Sequence, residues 1–314
     1  ELPVALYLIN KERVKMYHAH FRGTHYEAGF RWGSLLLKHQ NIILENIPFE
    51  ITQERIAYAS SCLPIYEKFY HEIIEEIQGL ADGQHCDVRI LQAVLFSMYS
   101  MPPACNCSCF AFTTGQEILL GRNSDFLTEI EKLNMNVIYR LTDGAYSFTG
   151  NTTAFVEVED GVNEYGLAAG LTSVYPIQHK PGFNAGLLLR YLLEKCKNVS
   201  EAISCLNQLP IASAQTLTLA DISGEIVLVE CTPDRVEVTT SLSNTHPFVC
   251  DTNAFHLTNM MQYNRVGIDD WFAETRFQTM MSAFQNTKKF DLVFARKLLS
   301  GDYGFLCQYD RSTG

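Results

Sequence analysis

The spacing of apolar residues changes character at Pro102-Pro103, and the two sides of that point predict different architectures. Ahead of it, residues 1–22 carry alternating and continuous apolar stretches that read as one or two edge strands. From Tyr26 the period lengthens to that of a helix, running through GFRWGSLLLKHQ towards Glu45. A second helical stretch extends from Ile51 to Ile77 with an interruption at Pro64, and Gly79 and Asp82-Gly83 read as turns. DVRILQAVLFSMYS is a further helix that ends before the prolines.

Beyond Pro103 the period drops towards two. CSCFAF, a Thr-Thr-Gly-Gln turn and EILLGRNSDF predict a tight β-hairpin, with further strands at MNVIYRL, AFVEVED and GLAAGLTSVYP. GFNAGLLLRYLLEKC and VSEAISCLNQL read as helices. AQTLTLADISGEIVLVECTPDRVEVTT is an antiparallel meander of three β-branched runs, punctuated by Ser223-Gly224 and Pro233-Asp234. Asp269 to Phe284 and Phe290 to Leu299 close the chain as helices. There is no internal repeat, and the order of elements predicts an α+β protein of antiparallel sheets covered by helices.

With 314 residues, 47% of them apolar and 19% charged, the chain has the composition of a folded protein with a sizeable core. A net charge of -11, with no Lys/Arg cluster interleaved with aromatics, argues against nucleic acid as a partner and is compatible with a small neutral substrate. No stretch approaches the roughly 18–20 apolar residues that span a bilayer. The opening ELPVALYLINKERV has no basic region ahead of a long apolar run, so no signal peptide is read; the absence of an initiator Met leaves the compartment open, with the cytoplasm favoured over export. The sequons at Asn151 and Asn198 matter only in the exported case. Cys62, Cys86, Cys196, Cys205, Cys231, Cys250 and Cys307 sit among apolar neighbours and are expected to be buried thiols rather than staples.

The remaining three cysteines alternate at 105, 107 and 109, which in a strand puts them on one face. Three readings compete: buried core cysteines, a metal site and a thiol nucleophile. The metal reading lacks the converging pair that a tetrahedral centre needs, so no metal or cofactor is expected. A nucleophilic thiol needs a base. That base is either a histidine, with His246 the leading candidate, or the α-amino group of the cysteine itself, whose ordinary pKa near 8 suits proton abstraction. The second option requires Cys107 to become N-terminal by cleavage of Asn106-Cys107. No Gly-x-Ser-x-Gly elbow and no phosphate-binding glycine loop offers a different chemistry.

CSCFAFTTGQEILLGRNSDF resembles the opening hairpin of N-terminal-nucleophile (Ntn) cysteine hydrolases. These include choloylglycine hydrolases, penicillin V acylases, acid-ceramidase-like amidases and, most closely, the acyl-coenzyme A:6-aminopenicillanic acid acyltransferase group. There the nucleophile opens a strand and Gly-Arg/Gln-Asn-x-Asp follows the turn; here that element is Gly121-Arg122-Asn123-Ser124-Asp125. Counting back places the nucleophile at Cys107, with Cys105 and Cys109 as the competing assignments. FRGTHYEAGFRWGSLL is similar to the start of the acyltransferase pro-segment, through Gly23, Gly29 and Gly33. GVNEYGLAAGL, SLSNTHPF and ETRF resemble the Asn-Glu-x-Gly-Leu, Thr-Asn-His-Phe and Ser-x-Arg-Phe elements. The second of these departs by an inserted Thr before His246 and a Pro before Phe248, and Asn106 stands where acyltransferases often have Gly.

The resemblance implies a four-layer αββα Ntn-hydrolase sandwich, a mainly helical pro-segment over residues 1–106 and a catalytic region over 107–314. Relatives continue past LLSGDYGFLCQYD, so truncation of that region at Gly314 is an expectation. It also implies roles. Arg122 would lower the thiol's pKa, Asp125 would accept from the new α-amino group, and Asn244 would donate to the oxyanion. Tyr175 or Thr172 would add a donor or line the pocket, and Arg276 would order Asp125 or contact substrate. Asn163 and Glu164 are read as turn residues. The implied activity is an amidohydrolase or acyltransferase that cuts itself before Cys107 and then forms an acyl-enzyme from a linear amide or acyl thioester, acyl-coenzyme A among them. The N-terminal segment is expected to stay bound, and oligomerisation is open. A conventional cysteine hydrolase without self-cleavage and a non-catalytic binding relative are the alternatives.

Overall fold

The computed structural model describes residues 17–102, 106–114, 116–125, 134–242, 247–268 and 270–307. The edge-strand reading at the start is represented by β1 (Tyr17–Gly23); the residues before it, and Cys105, Phe126, Asn244 and His246, lie outside the described residues. Four helices follow: α1 (His25–Lys38), α2 (Gln53–Phe69), α3 (His71–Gln84) and α4 (Val88–Ser97). Local chemistry sets their starts. Thr24 accepts from the Glu27 amide while the Glu27 carboxylate accepts from the Thr24 amide, a reciprocal capping box, and Thr52 and Asp87 cap α2 and α4.

Two breaks expected here are displaced. Pro64 lies inside α2 without ending it, and the chain turns instead at Tyr70, whose φ of -151° and ψ of 57° leave the helical region. Gly79 and Gly83 are not turns; they lie within α3, facing Gly29 and Gly33 of α1. A Cβ on Gly29 would lie 2.0 Å from the Glu76 carbonyl oxygen, and one on Gly79 2.1 Å from that of Tyr26, so the two backbones touch. Gly29→Ala gains about 1 kcal/mol of helix propensity but forces the helices apart. The steric effect should win, with a net loss of about 2 kcal/mol readable as a lower thermal midpoint.

The hairpin forms as β2 (Asn106–Thr113) and β3 (Ile118–Asp125), with Cys107 opposite Ser124 and Cys109 opposite Arg122. With β11 (Phe248–Asp251) it makes a three-stranded sheet ordered β11-β2-β3. The remaining strands form an eight-stranded sheet ordered β1-β4-β5-β6-β7-β8-β9-β10. They are β4 (Met135–Leu141), β5 (Phe148–Thr152), β6 (Asp160–Asn163), β7 (Ala168–Ser173), β8 (Gln215–Ala220), β9 (Ile226–Thr232) and β10 (Arg235–Thr239). All its pairs are antiparallel except β1 with β4. The expected strand at AFVEVED is absent. Residues 154–159 form an irregular turn, because Glu157 and Glu159 are drawn inward by Asn184, Thr153, Ser124 and Arg122. Asn163 does serve a turn: its Oδ1 accepts from Tyr165 and Leu167, and its Nδ2 donates to the carbonyls of Leu193 and Cys196.

Alternation along β7, β8 and β9 sorts the large sheet's two faces. Leu171, Leu217 and Val229 pack with Trp32, Tyr66, Phe96 and the apolar side of α5 (Ala185–Lys195). The opposite face meets the small sheet, with Ala220, Ile226 and Leu228 against Ala111 and Val249. The far side of the small sheet presents Phe110, Phe112 and Phe248 to Met280 and Phe284 of α7 (Ala273–Asn286) and to Phe294 and Leu298 of α8 (Leu292–Leu299). A last helix, α6 (Val199–Leu206), follows α5. No helix among the described residues is long and apolar enough to cross a membrane.

Candidate active site

Cys107 and Cys109 point from β2 into the layer between the sheets, where the facing strand has Gly170; a Cβ there would lie 2.7 Å from Cys109 Sγ. That missing side chain leaves room for Arg122, which reaches across from β3. Arg122 Nη2 lies 2.8 Å from Cys107 Sγ, its Nε donates to the Leu171 carbonyl at 2.7 Å, and its Nη1 faces Glu159 at 3.2 Å and Asp160 at 3.4 Å. Glu159 is further held by the hydroxyls of Ser124 (2.9 Å) and Thr153 (2.6 Å). The guanidinium is therefore fixed on four sides and points one corner at the sulfur.

At the thiol, burial outweighs the lowering effect expected of Arg122. Complete burial pushes the Cys107 thiol up to about 12, and the opposing pull of Arg122 does not overcome it. Glu159 behaves differently: burial acts to raise its pKa, but Arg122 and the hydrogen bonds from Thr153 and Ser124 hold it below the ordinary carboxylate value. The sulfur is thus protonated at neutral pH, beside a cation already balanced by two carboxylates. Arg122→Gln should cost about 3 kcal/mol by leaving those carboxylates unpaired, seen as a lower urea midpoint, and should slow alkylation of Cys107 at fixed pH in mass-mapped iodoacetamide kinetics.

The other side of Cys107 belongs to Arg276 in α7. Its Nη1 donates to the Cys107 carbonyl at 2.6 Å and to Ser108 Oγ at 3.0 Å, and its Nη2 to Asn253 Oδ1 at 2.8 Å. It also binds the carbonyls of Asp270 and Trp271. Trp271 and Phe272 both have positive φ, 52° and 58°, a conformation costing non-glycine residues about 1–3 kcal/mol each. Arg276 helps to offset that cost, fixing the entry to α7 against β2. Asp125 is buried at the end of β3, opposite Asn106 in register, and its charge bears on both Cys107 and Arg276.

Asn253 was not among the sequence candidates. Its Oδ1 accepts from the Cys107 backbone amide at 3.0 Å, and its Nδ2 donates to the Ser173 carbonyl at 2.7 Å. It therefore holds the very nitrogen for which Asp125 was the expected acceptor. A signal was present: Thr252-Asn253-Ala254-Phe255 keeps the order of Thr-Asn-His-Phe with one substitution and no insertion, unlike the stretch around Asn244. Buried carboxylates anchor this segment. Asp251 faces the hydroxyls of Thr172, Thr216 and Thr218, and Glu230 accepts from the amides of His256 (2.6 Å) and Leu257 (3.1 Å). Burial raises Asp251 to about 6 and Glu230 to about 7. Thr172, expected to add a donor or line the pocket, is engaged between the sheets with Asp251, Thr216 and the Thr252 carbonyl. Tyr175 is half-buried within charge range of Arg276.

The model of the acyl-coenzyme A:6-aminopenicillanic acid acyl-transferase family matches residues 112–312, a span that includes Arg122, Asp125, Asn253 and Arg276 and begins just after Cys107. Among solved structures, a variant of the conjugated bile acid hydrolase from Clostridium perfringens aligns at 16% identity and a TM-score of 0.44, covering 62% of this chain and 78% of that one. Penicillin V acylase from Agrobacterium tumefaciens aligns at 19% identity and a TM-score of 0.29, over 59% of this chain and half of its own. No curated protein sequence matches the chain. With more than half of its residues under that one family model, the chain belongs to the acyl-coenzyme A:6-aminopenicillanic acid acyl-transferase family.

Proposed function

We propose that the protein is a self-activating cysteine amidohydrolase or acyltransferase with Cys107 as nucleophile. The observation that carries this reading is the Arg122 guanidinium 2.8 Å from a buried sulfur at the start of a hairpin, itself pinned by Glu159 and Asp160. In the first stage the Cys107 thiol attacks the Asn106 carbonyl carbon. The C–S bond forms as the C–N bond breaks, the thiol proton passes to the departing nitrogen, and water then hydrolyses the thioester. This frees an α-amino group on the residue that bears the nucleophile, so base and thiol share one short tether.

Asn244 keeps the proposed role of oxyanion donor, and Asn253 joins the site on its contact with the Cys107 amide. After cleavage its Oδ1 would hold the new amine towards sulfur, with Asp125 as a second acceptor. Arg122 would stabilise the thiolate once solvent or substrate relieves the burial that now keeps it protonated. Arg276 would fix the β2 backbone, and Tyr175 would line the approach. The succession of helices, large sheet, small sheet and helices is read as the four-layer Ntn arrangement. Residues 1–106 would remain as a bound subunit, because β1 completes an edge of the large sheet and α1–α4 cover its core face.

The substrate class is a small linear amide or acyl thioester, and acyl-coenzyme A is the thioester suggested by the family's description. Either water or an amine would complete turnover from the acyl-enzyme. The test is the intact mass of freshly purified protein under denaturing, reducing conditions, followed by incubation with a phenylacetyl thioester. Two fragments divided between Asn106 and Cys107, with the acyl mass on the fragment beginning at Cys107, are expected. An uncut chain that turns over amides would replace this reading with a conventional thiol hydrolase.

A further inference from the structure

A second sulfur site lies on the helical side of the large sheet. Cys196 caps the end of α5 and Cys205 lies in the last turn of α6, and their Sγ atoms are 3.4 Å apart. Cystine formation needs a separation of about 2 Å, so little movement is required. Both backbones are already held. The Cys196 amide donates to the Leu192 carbonyl, and its own carbonyl accepts from Asn163 Nδ2 at 2.7 Å. Between the two, Asn198 caps α6 through the Glu201 amide and Val199 donates to Asp221. Cys196 is buried whereas Cys205 is half-exposed, so one sulfur meets solvent and the other waits behind it.

We propose that Cys196 and Cys205 form a dithiol site that a low-molecular-weight disulfide, such as oxidised glutathione, converts to an intramolecular cystine tying α5 to α6. The Cys205 thiolate attacks one sulfur of the oxidant, forming a mixed disulfide and expelling a thiolate that takes up the Cys205 proton. The Cys196 sulfur then attacks Cys205 Sγ, expelling the second glutathione thiolate, which takes up the Cys196 proton. Two protein thiols are oxidised and one external disulfide is reduced to two thiols. The order of attack follows from exposure. It is supported by the Cys196 S–H, which faces the Cys205 sulfur and holds that thiol below its usual range. The site is independent of the chemistry at Cys107.

The experiment treats full-length protein with oxidised glutathione, blocks free thiols and maps tryptic peptides without reduction. Trypsin cuts after Lys195, Lys197 and Arg235, so the cystine should join the dipeptide Cys196-Lys197 to the fragment Asn198–Arg235, about 2 Da below their summed mass. That fragment also holds Cys231, so fragmentation of the linked pair must place the bond at Cys205. The link should disappear in Cys205→Ser and persist in Cys231→Ser. The oxidised wild type should melt about 5 °C above the reduced protein. Glutathione retained on Cys205 with no linked pair, or a bond that fragmentation places at Cys231, would overturn the proposal.

Discussion

Cys107→Ala is expected to yield one uncut chain and to lower turnover of amide or thioester substrates by a factor on the order of 10⁴ or more. Its effect on the fold should be small by comparison. The side chain lost is small, and the Arg122 guanidinium retains the Leu171 carbonyl through Nε and Glu159 and Asp160 through Nη1. Removal of one partner of a single buried contact costs about 1–2 kcal/mol. Urea unfolding and intact mass on the same preparation separate these effects. A folded, uncut and inactive variant supports Cys107 as the nucleophile of both stages. A variant that is still cleaved between Asn106 and residue 107 would move the maturation nucleophile elsewhere. Burial of the wild-type thiol adds a consequence: the uncut chain should resist alkylation at Cys107 under conditions that label the exposed Cys307.

Elements whose chemistry is local were legible in the sequence. The β2–β3 hairpin, the β8–β9–β10 meander and α5 follow from period, turn residues and caps, and Arg122, Asp125 and Arg276 gather around Cys107 from positions a motif could mark. The misses share a cause in tertiary contact. Gly79 and Gly83 are ordinary turn signals until another helix supplies backbone at 2.1 Å and 2.5 Å from where their Cβ atoms would be. AFVEVED alternates as a strand should, but its carboxylates satisfy four residues outside it, and that demand outweighs the pattern. The parallel pairing of β1 with β4 joins residues more than a hundred positions apart, with no local signal. Asn253 was missed because its partner, the Cys107 amide, lies 146 positions away along the chain.

Arg190→Met is expected to cost about 5 kcal/mol, the largest loss of stability of any substitution considered. Arg190 is fully buried in α5, where Nε donates to Glu194 at 2.8 Å and Nη1 to Glu76 of α3 at 3.1 Å, with Nη2 also on Glu76. Its guanidinium stacks 4.3 Å from the Tyr139 ring. Tyr139 donates to Glu76, Tyr70 donates to Glu194 at 2.6 Å, and His25 of α1 bridges Glu194 (3.0 Å) and Asp143 (2.8 Å). One cation thus bridges two carboxylates with no solvent access, and it ties the N-terminal helices to α5. Methionine fills the volume but strands both charges. The same cluster sets a pH window. Burial opposes the charge on Glu194, yet Arg190 and His25 hold it down at about 2, below its usual 4.5. That contribution is complete above pH 4.5 and is lost as pH falls towards 2. Burial also opposes the charge on His25, but Glu194 outweighs it and raises its pKa above the usual 6.5. The histidine's contribution is therefore complete below pH 6.5 and is lost as pH rises through the raised value. Urea midpoints measured from pH 3 to 9 should peak between about 4.5 and 6.5 in the wild type. In Arg190→Met the acid limb should move to higher pH, because the Glu194 carboxylate has lost its principal partner. An unchanged acid limb would show that the hydroxyl of Tyr70 and the ring of His25, rather than Arg190, keep Glu194 ionised.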